Sequence, residues 1–70
     1  MATSGLEVKA WIDRELPPLS WNVISMKMMK VFMKNQVRAT SINEDTVFNE
    51  EVMSELSAFI KTTYNKDLSI

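Results

Sequence analysis

Four cations, Lys27, Lys30, Lys34 and Arg38, follow one another at steps of three and four residues. On an α-helix that spacing puts them on one face. A row of cations on one face neutralises phosphates and releases condensed counterions, so it would grip nucleic acid and let go as salt rises. No acid interrupts the row between Trp21 and Thr40, whereas Ser41 to Ile60 carries five acids (Glu44, Asp45, Glu50, Glu51, Glu55) and no cation. The two segments read either as faces for two partners or as one internal ion pairing, and the bland version of the row is a solvated helix face. The net charge of −1 lacks the positive excess common in nucleic-acid domains. Any DNA contact would therefore run through shape and charge, with Asn35 and Gln36 the only candidates for reading bases.

The other chemistry is thinner. Methionine is flexible and polarizable and suits adaptable docking surfaces, and the segment after Ser25 is rich in it. Met28 and Val31 can point away from a core stripe, and Trp21 is of the residue type that anchors interfaces. These three are the candidate partner-binding residues. The same side chains serve equally as core packing. The carboxylate pairs Asp13/Glu15, Glu44/Asp45 and Glu50/Glu51 lack the cleft that acid–base work needs and the alternating ligands and glycine turn of a calcium loop. Glu50 and Glu51 fit the start of a helix, where the dipole favours anions. With no cysteine and no histidine, zinc, copper and iron sites are not expected. The serines and threonines have no histidine to activate them, and no Gly-rich phosphate loop is present. The chain reads as a non-enzyme with no cofactor and no small-molecule substrate.

Three helices are expected to position these residues, over about 5–16, 26–38 and 49–65 of a single 70-residue domain. Ser4 and Glu7 make a capping-box pattern before the first. Val8, Trp11, Ile12 and Leu16 form its apolar stripe, and Pro17–Pro18 stop it. Residues 19–24 read as a connector with apolar anchors, and Ser25 as the N-cap of the second helix. The expected core face of that helix is Met29, Phe32, Met33 and Val37. Asn49 should cap the third helix, with Phe48 as a hydrophobic staple onto Met53. Val52, Leu56, Phe59, Ile60, Thr63 and Tyr64 make its stripe. The fold class is all-α, a compact three-helix bundle. The 39–48 connector has room for a short extra helix or turn, and a short strand at Ile42 or Val47 has weak support. A chain this short has a marginal core, so self-association or burial against a larger protein is a natural source of stability. The longest uncharged run, Leu16 to Met26, contains two prolines and cannot span a membrane. An intracellular setting with no membrane partner is expected.

Two short stretches carry a resemblance. Ile24-Ser25-Met26-Lys27 opens the second expected helix, and Phe59-Ile60-Lys61-Thr62-Thr63 lies in the last. They resemble the DEK C-terminal (DEK-C) domain, which has an aliphatic-Thr/Ser-Met-Lys entry to its second helix and a similar run in its final one. The likeness is ungapped from about Ala10 to Lys34, with Ile12, Leu16 and Met29 at family core positions. After Asn35 the spacing diverges, and a longer, acidic stretch precedes the last helix. The resemblance implies a compact helical domain related in shape to winged-helix DNA binders, linked to DNA or chromatin, to self-association and to a nuclear setting. Lys27, Lys30, Lys34 and Arg38 would then hold phosphates. The competing expectation is a protein-interaction or oligomerisation module that docks a partner helix on its Met-rich surface.

Overall fold

The computed structural model describes residues 2–70. Helix α1 (Gly5–Glu15) starts where the Ser4 side chain accepts the Glu7 amide. Its stripe of Val8, Trp11 and Ile12 is buried. It stops at Leu16, whose backbone is extended (φ −109°, ψ 163°) because the proline that follows crowds out the helical conformation. Just before α1, strand β1 (Thr3–Ser4) pairs antiparallel with β2 (Val47–Phe48), Thr3 opposite Phe48 and Ser4 opposite Val47. The Gly5 amide continues the pairing by donating to the Thr46 carbonyl at 2.9 Å. A Cβ at Gly5 would sit 2.8 Å from Thr46 Cγ2 and 3.0 Å from the Phe48 ring, so glycine lets the strand and helix approach this closely.

Helix α2 (Ser20–Lys27) begins five residues before the expected N-cap at Ser25. Leu19, in the left-handed conformation (φ 68°), turns the chain out of the prolines, and the buried Ser20 hydroxyl donates to the Pro17 carbonyl. Ser25 is inside the helix and its hydroxyl donates back to the Trp21 carbonyl at 2.7 Å, a bond that competes with the helical ladder. A joint at Met28 (φ −104°, ψ 17°) separates α2 from α3 (Met29–Lys34). The Met28 amide closes α2 by donating to Ile24, and the Met28 carbonyl opens α3 by accepting from the Phe32 amide.

Helix α3 ends at Lys34, short of the expected Arg38. Gln36 takes the left-handed conformation (φ 60°), its amide donates to Met33, and the Val37 amide donates to Phe32 at 2.8 Å. This is a Schellman stop, with buried Val37 as its apolar latch. The sequence offers no glycine at this stop, which is why the helix read as longer.

The second expected core face is also corrected. Met29 and Met33 are exposed, and Met28, only 5% exposed, is in the core with Trp21, Ile24 and Phe32. With the helix starting at Ser20, the spacing 21-24-28-32 is the stripe that meets the interior. The connector from Asn35 to Thr46 forms turns, one of them closed when the Asp45 amide donates to the Asn43 side chain. The strand then follows at Val47.

Helix α4 (Glu50–Tyr64) is capped by Asn49, whose side chain accepts the Val52 amide at 3.0 Å, with Glu50 and Glu51 in its first turn. Val52, Leu56 and Ile60 are fully buried. Phe48 before the cap lies in the core, and Met53 is partly buried against the core cluster. Phe32 joins the two halves, with its ring centroid 5.8 Å from Trp21 and 5.9 Å from Phe48. Among the described residues the architecture is therefore four helices and a two-stranded sheet, mostly helical but not a plain three-helix bundle.

Candidate functional site

The expected basic row is divided by the fold. Lys27 ends α2, Lys30 and Lys34 lie on α3, and Arg38 is beyond the Schellman stop, off any helix. Lys34 is committed: its ammonium donates to Glu51 at 2.9 Å, and the Asn35 side chain donates to the other Glu51 oxygen at 3.2 Å. The Lys34 hydrogen bond, and after it the Asn35 hydrogen bond, hold the Glu51 carboxyl below the usual glutamate range. Asn35 also accepts from Asn49 at 2.7 Å, so the end of α3 and the start of α4 are tied through one amide. Part of the acidic run thus folds back on the basic one. Lys27 shares a shallow depression with Glu55, and Arg38 another with Asp45. Lys27, Lys30 and Arg38 are exposed and form no ion pair among the described residues.

The three candidate partner-binding residues face inward to different degrees. Trp21 is 8% exposed, and its indole N–H donates to the Ala39 carbonyl at 2.9 Å, which pins the 39–42 loop over α2. Met28 is core, and Val31 is half-buried against it. The partner-facing assignment of Trp21 and Met28 is therefore corrected: their spacing matches the interior stripe once α2 is extended back to Ser20.

What the sequence reading missed lies opposite the core. Exposed apolar side chains recur along this segment as an outer ridge: Leu19 (73% exposed) at the turn into α2, Val23 and Met26 (73%) on α2, and Met29 and Met33 (70%) on α3. The steps 23-26 on α2 and 29-33 on α3 are helical, so the signal was present, but it overlapped a second apolar stripe on the same segment. Beside the ridge is an open groove of about 770 Å³. Lys9 and Asp13 of α1, which are paired at 2.8 Å, form one wall. Ala39, Thr40 and Ile42 form the other, the Trp21 edge and Ser25 contribute between them, and Leu19 and Met26 belong to both groove and ridge.

Every buried side-chain nitrogen or oxygen among the described residues has a hydrogen-bond partner, so no strained polar group points to a reacting centre. No group of three or more metal-binding side chains is found among them, and no helix is long and apolar enough to cross a membrane. No family model, no curated protein and no solved structure matches this chain.

Proposed function

We propose that this chain is a non-catalytic, DEK-C-like helical module that docks a protein partner on the outer ridge of α2 and α3. The observation that carries this reading is the set of large apolar side chains at Leu19, Val23, Met26, Met29 and Met33, solvent-facing along α2 and α3, with Leu19 and Met26 also lining a groove. A single exposed apolar side chain means little, but a contiguous patch on so small a surface marks an interaction site. Methionine and leucine supply apolar contact that adapts its shape to a helix laid across it. The groove beside them gives a partner's bulky side chain a place to anchor.

DNA or chromatin contact is the second reading, favoured by Lys27, Lys30 and Arg38 being exposed without an ion-pair partner among the described residues. It is weakened by Lys34 being tied to Glu51 and by Arg38 leaving the helix face. A nuclear setting belongs to this reading.

One pair of NMR titrations tests the choice. A helical peptide with Leu at positions i, i+3, i+4 and i+7 and Gln elsewhere should shift the signals of Val23, Met26 and Met33, and a Met26→Gln/Met33→Gln double variant should lose the effect. The opposite pattern would move the function to nucleic acid: no peptide response, with duplex DNA shifting Lys27 to Arg38 in a manner that fades as salt rises.

A further inference from the structure

Resting on that docking surface, we infer that its occupant is an amphipathic helix of another protein that carries acidic residues beside its apolar stripe. The argument is charge complementarity. From Leu16 to Asn43 the chain has no acid. On α3, Lys30 follows Met29 and is three residues before Met33, and on α2, Lys27 is four residues after Val23. Helical neighbours three, four and seven apart share a face. Lys30 therefore shares a face with Met33, and Lys27 shares one with Val23. Neither has an ion-pair partner among the described residues, while Lys34, the next cation along, is occupied by Glu51. A partner that covers the ridge has to desolvate Lys30 or neutralise it, and only an acid does the second.

Two other occupants fit less well. A second copy of this chain, paired by a two-fold axis, would set the patch against itself. That would bring Lys27 and Lys30 of one copy toward the same cations of the other, and the carboxylate in the adjoining groove, Asp13, is already paired with Lys9. A bilayer offers a flat, deformable surface to an apolar stripe flanked by cations. Here the ridge descends on its Leu19 and Met26 side into a concave groove lined by Trp21, Ala39 and Ile42. A groove of that form receives a protruding side chain and gains nothing against a plane.

The experiment titrates the full chain with three helical peptides that share one leucine stripe and carry Glu, Gln or Lys at the flanking positions. The Glu peptide should bind about tenfold tighter than the Gln peptide, and the Lys peptide weakest. Added salt should narrow the gap. A Lys27→Gln/Lys30→Gln variant should bind all three alike, at the strength of the Gln peptide on the unaltered chain. If all three peptides bind the unaltered chain equally well, the acidic occupant is wrong while the docking surface stands. If none binds, the docking surface itself is wrong. Sedimentation showing a dimer that Met26→Gln/Met33→Gln dissolves would reassign the ridge to a second copy. Binding to phosphatidylserine vesicles with no response to any peptide would reassign it to a membrane surface.

Discussion

Helix α4 and the α2–α3 segment are close in length and opposite in construction. Helix α4 has one apolar stripe, a side-chain cap at Asn49, acids in its first turn and Lys61 in its last. The α2–α3 segment has apolar side chains on two faces, no side-chain cap at either start and a joint in its middle. A helix with one apolar stripe tells the chain which side to bury. One with two stripes does not, and the choice is made by its neighbours. Trp21, Ile24, Met28 and Phe32 win because α1 lies against α2, α4 lies against α3, and the Phe48 ring stacks near Phe32. The stripe that loses is left in water, the kind of surface the proposed partner would cover.

The largest test of this contrast is a methionine pair. Met28→Ala should cost about 2–5 kcal/mol, the usual range for a buried methionine, whereas Met33→Ala should stay within about 0.5 kcal/mol. Urea unfolding measures both, and equal costs would remove the distinction between the two faces. Next in size, Gly5→Ala should cost about 1–3 kcal/mol, since the added methyl meets Thr46 and the Phe48 ring. The same unfolding curves read it.

Smaller effects sharpen the comparison at the helix ends. Asn49→Ala should cost about 1 kcal/mol through loss of the α4 cap, while Ser25→Ala should change stability by less than about 0.5 kcal/mol because that serine caps nothing. Comparable losses from the two would restore Ser25 as a helix start. Gln36→Gly should raise the melting temperature, with a gain under about 1 kcal/mol, because the Schellman stop asks a left-handed conformation of a residue with a Cβ. The smallest effect is electrostatic. Glu51 is held below its ordinary range by Lys34, so its contribution is complete above the ordinary glutamate pKa and is lost as pH falls through the lowered value. Thermal melts over that acid window should show a slightly shallower decline for Glu51→Gln than for the unaltered chain.

Much of α1 and α4 was legible in the sequence because their signals are local. Ser4, Pro17 and Asn49 each act on the backbone within a few residues, and the buried stripes of both helices follow one period. The divided basic row was not legible, since the stop after Lys34 uses Gln36 where a glycine or asparagine would have marked it. The start of α2 was hidden in the same way: Leu19, a residue that seldom adopts positive φ, makes the turn. The exchange of Met28 for Met29 and Met33 in the core depended on contacts with α1 and α4, which no local pattern carries. Short β1 was also invisible, because two residues gain strand geometry only from a distant partner, Thr3 opposite Phe48 and Ser4 opposite Val47.

The central claim is that α2 and α3 bury the Met28 side and present the Met26, Met29 and Met33 side outward. Methyl NMR of methionine-labelled protein with a dissolved nitroxide measures it directly, because broadening reports approach from solvent. The structure requires strong broadening at Met26, Met29 and Met33 and a protected Met28. A protected Met29 and Met33 with a broadened Met28 would contradict it, and the outer ridge, the groove beside it and the partner they imply would fall together.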